Sequence, residues 1–132
     1  MITKPIPYGR QHITDEDIQC VIDALKSDYL TQGPKIKEFE EAFASYVGCK
    51  YAIAVNNATA GLHLAATALD VNLGDKVIVT PLTFAASANC IRFRGGEVVF
   101  CDVEEDTYLM DIKKLSRLLS QSPKGTYKGI VL

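Results

Sequence analysis

Metal-site and disulfide signatures are absent from this sequence of 132 residues. Its thiols and imidazoles are those of Cys20, Cys49, Cys90, Cys101, His12 and His63. No two cysteines form a C-x-x-C pair, so zinc-site spacing is missing, and a chain long enough to bury a core needs no disulfide framework. The sequence therefore predicts no metal site and reduced, mostly buried thiols.

Long apolar runs and an excess of one charge are also missing. The first seven residues lack the apolar core and cleavage site of a signal peptide, and no run approaches the roughly 20 apolar residues of a membrane span. The net charge of -2 disfavours a nucleic-acid surface, which needs a basic patch. We expect a soluble, cytoplasmic protein that binds neither membranes nor nucleic acid.

Helical and strand patterns alternate along most of the chain. Apolar residues recur at spacings of three and four in five segments, which predicts helices, and short apolar runs predict strands. The predicted helices begin near Thr14, Pro34, Thr59, Ala85 and Asp111, and the predicted strands span 51–55, 76–80, 97–101 and 127–132. This order indicates an α/β fold with a mostly parallel sheet, whose first helix should bury one apolar face.

The two ends of the chain depart from this pattern. Residues 1–13 contain Pro5, Pro7 and Gly9 and show neither helical nor strand periodicity, so they are predicted to form an extended arm. The last predicted strand ends in Ile-Val-Leu, although a parallel strand needs a neighbour and a crossover connection. We expect residues 14–132 to be part of an α/β domain that is truncated at its C-terminus.

The turn after the predicted strand 51–55 suits an anion. The residues there are small or polar: Asn57, Ala58, Thr59, Ala60 and Gly61. The first turn of a helix leaves backbone N–H groups without partners, so a phosphate would meet several donors, with the Thr59 hydroxyl as a further one. Because Asn and Thr are also ordinary caps, a capped helix without a ligand is the alternative.

Two further segments, the loop 27–34 and the segment that contains Phe84, are candidates for contact with a ligand. Residues 27–34 are predicted either to pack Tyr29 and Leu30 on the core or to line a ligand. Phe84 follows the strand 76–80, and ligands of open α/β sheets bind at the carboxyl ends of strands. We therefore expect Phe84 on the same side of the sheet as the turn 57–61.

The loop 102–106 is acidic, with the sequence Asp-Val-Glu-Glu-Asp. Clustered carboxylates suggest a metal site or acid–base chemistry, but no histidine lies nearby and EF-hand spacing is missing. Asp111 precedes a helical pattern and is predicted to be its N-cap. We interpret the loop acids as solvated charges.

Four motifs, in their order and spacing, resemble one enzyme family. They are Tyr29-Leu30-Thr31-Gln32-Gly33, Phe39-Glu40-Glu41-Ala42-Phe43, Asn57-Ala58-Thr59-Ala60-Gly61-Leu62-His63-Leu64 and Pro81-Leu82-Thr83-Phe84-Ala85-Ala86-Ser87-Ala88-Asn89. They resemble the nucleotide-sugar aminotransferases of the DegT/DnrJ/EryC1/StrS family, over nearly all of the chain. The resemblance implies a fold-type I transferase that depends on pyridoxal 5′-phosphate (PLP), with residues 14–132 as the N-terminal portion of its large domain.

The resemblance also implies roles for individual residues. Backbone N–H groups of Ala58, Thr59 and Ala60 would bind the cofactor phosphate. Phe84 would stack on the pyridine ring, for which a flat aromatic face is suited. The residues on the nucleotide-sugar side would be Tyr8, Asp28, Tyr29, Leu30 and Thr31.

Within the family, the arm Ile6-Pro7-Tyr8 and the sequence Leu30-Thr31-Gln32-Gly33 resemble transaminases of the pseudaminic acid pathway. The implied reaction transfers an amino group from glutamate to C4 of a UDP-linked 4-keto-6-deoxy-N-acetylhexosamine, in the biosynthesis of a surface sugar. The implied full-length enzyme is a homodimer with sites completed across the subunit interface.

No lysine of the chain, Lys76 and Lys128 included, matches the family's Schiff-base lysine. The resemblance places that lysine beyond residue 132, together with the carboxylate that holds the pyridinium nitrogen and a serine that shares the phosphate. The 132 residues alone are therefore expected to be inactive. Two alternatives stay open: a PLP-dependent sugar dehydratase of the same family, with histidine in place of the lysine, and a complete, non-catalytic α/β binding domain.

Overall fold

The computed structural model describes residues 7–132, which divide after Ala54 into an N-terminal and a C-terminal unit. Residues 1–6 of the predicted arm lie outside the described residues, and residues 7–13 contain no helix or strand. Among residues 7–132, no helix has the length and apolar composition that a membrane crossing requires.

The N-terminal unit contains two helices, α1 (Asp15–Leu25) and α2 (Pro34–Val47). Thr14 caps α1 reciprocally with Asp17: the Thr14 hydroxyl oxygen accepts from Asp17 N–H at 3.3 Å, and the Asp17 carboxylate accepts from Thr14 N–H at 2.8 Å. Two otherwise unpaired donors are satisfied in this way. The predicted start of α1 is confirmed.

The ends of α2 are set by two residues with special backbones. Pro34 occupies its first turn, where a missing N–H costs nothing, and Gly48 follows its last residue in the left-handed conformation, with φ of 71°. Glu40 Oε1 accepts a 2.8 Å hydrogen bond from Ala54 N–H, which ties the end of the unit back to the helix. Both predicted boundaries of α2 are confirmed.

The prediction that α1 buries its apolar face is wrong for the described residues. Ile18, Val21 and Leu25 are each at least half exposed, and no residue of α1 is buried. On α2 only Ala44 is buried. Apolar periodicity identifies which face of a helix is apolar, but burial also needs a second surface to cover that face.

The C-terminal unit contains a three-stranded parallel sheet. Its strands are β1 (Lys76–Val79), β2 (Glu97–Phe100) and β3 (Tyr127–Val131), in the order β2-β1-β3. In the register of the sheet, Val77 lies opposite Val98 on one side and Gly129 on the other. The predicted α/β class and the parallel sheet are confirmed.

Three helices cover both faces of this sheet: α3 (Ala58–Ala68), α4 (Ala86–Arg92) and α5 (Ile112–Ser120). On one face, α3 and α4 pack against β1 in a cluster formed by Ala66, Val71, Val77, Val79, Cys90 and Ile91. On the other face, residues of α5 pack against a cluster formed by Ile78, Cys101 and Met110. Successive residues of β1 therefore pack on opposite faces of the sheet, as the alternation of side chains along a strand requires.

Residues 51–55 are not a strand, contrary to the prediction. The sheet of the described chain consists of β1, β2 and β3, and the side chain of Ile53 is 77% exposed. A strand exists through the hydrogen bonds it makes with a neighbouring strand. An apolar run alone does not supply that neighbour.

Candidate functional site

The first turn of α3 presents unpaired backbone donors. Asn57, in extended conformation, caps the helix: its Oδ1 accepts a 2.9 Å hydrogen bond from Ala60 N–H. Gly61 N–H donates to the Asn57 carbonyl at 3.2 Å and begins the intrahelical ladder. Because first-turn N–H groups have no acceptor within the helix, those of Ala58 and Thr59 remain available to a ligand.

The charge around this turn favours an anion. The first turn of α3 carries no acidic residue, whereas that of α1 carries Asp15, Glu16 and Asp17. The aligned peptide dipoles place partial positive charge at both N-termini, but only at α1 do carboxylates neutralise it. The start of α3 therefore carries no carboxylate that would repel a phosphate, a property that it shares with the first turns of α2, α4 and α5.

The predicted donors are not equivalent in the structure. Ala58, Thr59 and Ala60 share the first turn of α3, but Ala60 N–H is already engaged by Asn57. To donate to a phosphate as well, Ala60 N–H would have to divide its hydrogen between two acceptors. The Asn57 side chain is the cap, in agreement with the preference for Asn at this position that the sequence indicated.

Phe84 lies in the segment 80–85 that joins β1 to α4. Its carbonyl accepts a 3.0 Å hydrogen bond from Ser87 N–H, which fixes its backbone at the start of α4. Its side chain is 77% exposed. An exposed ring on a fixed backbone is available to stack on a planar ligand.

Phe84 and the first turn of α3 lie towards the same edge of the sheet. α3 packs on the sheet through Ala66, and the short loop 69–75 leads from its C-terminal end into the amino end of β1. α3 therefore runs back along the strand, and its first turn lies at the carboxyl end of β1, from which Phe84 follows. This edge is where open α/β sheets bind ligands.

The five residues predicted for the nucleotide-sugar side belong to the N-terminal unit, and all are exposed: Tyr8, Asp28, Tyr29, Leu30 and Thr31. Tyr8 lies in the segment 7–13, and the other four lie in the connection between α1 and α2. The side chains of Tyr29 and Leu30 are 67% and 68% exposed. They therefore do not pack on a core among the described residues, and their part in lining a ligand stays a prediction.

The acidic loop makes structural contacts. Asp111 caps α5 and accepts from the N–H groups of Lys113 and Lys114 at 2.8 and 3.0 Å, as predicted. Lys114 Nζ donates to Asp102 Oδ2 at 2.7 Å, which lowers the pKa of Asp102 and raises that of Lys114. Exposed pairs of this kind contribute little to stability. Within residues 7–132, no three His, Cys, Asp or Glu side chains are grouped to hold a metal ion.

The cysteines divide into two classes. Cys90 and Cys101 are buried, and burial raises the pKa of each thiol. Cys20 and Cys49 are exposed, which corrects the expectation that most of the thiols are buried. All four are free of disulfide bonds.

Comparison with known proteins relates most of the chain to an aminotransferase family. The model of the DegT/DnrJ/EryC1/StrS aminotransferase family matches residues 11–131. The chain is 44% identical over 118 residues to the UDP-4-amino-4,6-dideoxy-N-acetyl-β-L-altrosamine transaminase of Campylobacter jejuni. It is 43% identical over 120 residues to the spore coat polysaccharide biosynthesis protein SpsC of Bacillus subtilis. These alignments cover 89% and 91% of the chain.

A solved structure agrees with the sequence comparison. The putative sugar aminotransferase of Streptococcus pneumoniae, in its PLP form, superimposes with a TM-score of 0.79 and 38% identity, over 85% of this chain and 29% of that one. The chain spans 31% of the length of each of the two curated relatives. Because the family model extends from before α1 to the end of β3, the chain belongs to the DegT/DnrJ/EryC1/StrS aminotransferase family.

Proposed function

We propose that this chain is the N-terminal part of a PLP-dependent nucleotide-sugar aminotransferase. The observation that carries the proposal is the first turn of α3, which offers free backbone donors and no acidic side chain in a chain of this family. The solved relative in its PLP form supports the choice of cofactor.

The residues of the C-terminal unit fit the two recognisable parts of PLP. Its phosphate would be held by the N–H groups of Ala58 and Thr59 and by the Thr59 hydroxyl, with Ala60 sharing its hydrogen. The exposed ring of Phe84 would stack on the pyridine. When bound, PLP supplies the electron sink that amino-group transfer requires.

These residues bind and orient, and none of them transfers a proton. The α3 dipole and N–H groups would balance the charge of a bound phosphate, while Phe84 would hold the ring by stacking and shield it from water. Fixing the ring plane places the reacting bonds in one orientation.

The lysine that holds the cofactor covalently is proposed to lie beyond residue 132. Lys76 and Lys128 are in exposed or half-exposed ion pairs, at 3.4 Å from Glu97 and 3.6 Å from Asp75. Lys76 is the first residue of β1, so it lies at the amino end of the sheet and away from the α3 turn. The length of the relatives, of which this chain spans 31%, supports the same proposal.

We extend the proposal to the substrates: glutamate as amino donor and a UDP-linked 4-keto-6-deoxy-N-acetylhexosamine as acceptor, for a pseudaminic acid type of surface sugar. The name of the Campylobacter jejuni relative, an enzyme whose product carries its amino group at C4, supports this choice. Tyr8 and the loop residues Asp28, Tyr29, Leu30 and Thr31 would line the sugar side. The complete enzyme is proposed to be a cytoplasmic homodimer.

The test uses the full-length protein. It should purify with a visible absorbance band from bound PLP and lose that band on borohydride reduction. The reduced cofactor should then be found attached to one lysine beyond residue 132. Incubation with glutamate should convert the bound cofactor to its amino form, and the UDP-keto sugar should reverse the conversion. A well-folded full-length protein that binds no PLP would overturn the proposal. A histidine at the lysine position, with a deoxygenated rather than an aminated product, would assign the protein to the dehydratases.

A further inference from the structure

The connection between α1 and α2 fixes the backbone of Tyr29 from two sides. On one side, the Ser27 hydroxyl donates to the Ala24 carbonyl oxygen at 2.7 Å and shares its one hydrogen with the Tyr29 carbonyl oxygen at 3.2 Å, so it links the end of α1 to the loop. On the other side, Gly33 packs directly against Tyr29. A Cβ at residue 33 would lie 2.9 Å from Tyr29 Cβ and 3.0 Å from Tyr29 O.

The turn that brings Gly33 against Tyr29 is strained. Gln32 adopts a left-handed backbone with φ of 51°, which is uncommon for a residue with a side chain. Such conformations cost free energy and persist where the surrounding structure enforces them, often at ligand sites. The loop is therefore held in one shape, although its side chains are exposed.

The Tyr29 ring is the group that this fixed backbone presents. It belongs to a residue that is 67% exposed. A tyrosine offers a large contact area and loses little conformational entropy on binding, since only two side-chain torsions become fixed. If its backbone is already fixed, the entropy lost on binding falls further.

We infer that Gly33 is a positioning residue, which acts through Tyr29 to place the aromatic ring against the nucleotide-sugar substrate. The inference rests on the proposed function, because it takes the sugar nucleotide as the ligand of this loop. Gly33 needs no contact with the substrate: its missing Cβ lets the chain turn close enough to hold Tyr29. Any larger residue at position 33 would bring its Cβ too close to Tyr29 Cβ and the Tyr29 carbonyl oxygen, so the loop would have to shift at this contact.

The experiment compares Gly33→Ala with wild type in the full-length, PLP-loaded enzyme. Gly33→Ala should raise KM for the UDP-keto sugar about tenfold, as expected when a single substrate contact of ~1.4 kcal/mol is lost. The half-reaction with glutamate and the PLP content should stay unchanged, because the loop belongs to the sugar side. Gly48→Ala is the matched control, since φ of 71° makes it a strained substitution in the same unit with no atom near its Cβ. It should lower the melting temperature and leave the sugar KM unchanged.

A double-mutant cycle decides whether Gly33 acts through Tyr29. Tyr29→Ala should itself raise the sugar KM, and in that background Gly33→Ala should add less than about a twofold change, since coupled residues are not additive. Independent, additive effects on KM, or an unchanged KM in Gly33→Ala, would overturn the inference. If Gly33→Ala does not fold, Ser27→Ala is compared in the wild-type and Tyr29→Ala backgrounds instead, because Ser27 holds Tyr29 from the other side. A wild-type enzyme without PLP-dependent amino transfer would instead overturn the proposed function.

Discussion

Asn57 Oδ1 accepts a hydrogen bond from Ala60 N–H at 2.9 Å, so the side chain that caps α3 lies at the edge of the proposed phosphate site. The cap is a neutral amide. Asp is as good an N-cap as Asn, yet it would place a negative charge beside the phosphate. The neutral cap therefore satisfies the helix end without repelling an anion.

The first prediction follows from this relationship. Asn57→Asp should keep the stability of the protein within about 0.5 kcal/mol, because both side chains cap equally well, and should weaken PLP binding by about tenfold or more through charge repulsion. The measurements are thermal denaturation and a PLP titration followed by absorbance. Asn57→Ser, a neutral cap, is the control and should keep its affinity. Equal affinity in the Asp and Ser variants would show that the phosphate does not approach residue 57.

Phe84 gives a second prediction. Because Phe84 is 77% exposed, Phe84→Ala should leave stability nearly unchanged, while the loss of ring stacking should weaken PLP binding by about two- to tenfold, for a stacking contribution of about 0.5–1.5 kcal/mol. Phe84→Tyr keeps the flat ring and should restore most of the affinity. If Phe84→Leu binds PLP as well as Phe84→Tyr does, the contact is apolar packing and not stacking. The measurement is the same titration.

Much of the local structure could be predicted because it depends on neighbouring residues. The caps Thr14, Asn57 and Asp111 each satisfy backbone donors two or three residues further on, so the sequence around them contains the whole interaction. Gly48 is found in the left-handed conformation that ends a helix, for the same local reason. The cap at the start of α3 was predictable on these grounds as well, whereas anion binding there stays a prediction.

The remaining features depend on distant parts of the molecule. Among residues 7–132, the segment 51–55 has strand composition but no paired strand, and the stripe Ile18, Val21 and Leu25 has helical period but is at least half exposed. Neither a pairing strand nor a covering surface is encoded in the local pattern. The contact between Gly33 and Tyr29 likewise depends on how the loop turns. The Gly33-Pro34 pair predicts a turn there but does not specify its geometry.

The capping box of α1 gives a third prediction, on pH. Hydrogen bonds from the backbone N–H and the hydroxyl of Thr14 hold the pKa of Asp17 below its ordinary value of 3.8. Since the folded pKa is the lower one, the stabilisation is present above pH 3.8 and is lost as the pH falls through the folded pKa. Asp17→Asn should therefore flatten the acid limb of stability against pH. The measurement is the urea midpoint across this range, with Asp15→Asn as a control that changes the same first turn and leaves the capping box intact.

A fourth prediction compares two isoleucines that lie side by side in the sheet. Ile78 of β1 and Ile130 of β3 are register partners, but Ile78 is fully buried, whereas Ile130 is 44% exposed. Ile78→Ala should destabilise by roughly 3–4 kcal/mol, because β1 is covered on both faces and the cavity cannot collapse, while Ile78→Val should cost only about 1 kcal/mol. Ile130→Ala removes the same atoms from a residue that is 44% exposed among the described residues, so in this 132-residue chain it should cost about half as much as Ile78→Ala. Chemical denaturation of the three variants measures these differences. Equal losses at the two positions would mean that β3 is as well covered as β1 in solution, and that the edge of the sheet next to β3 is occupied.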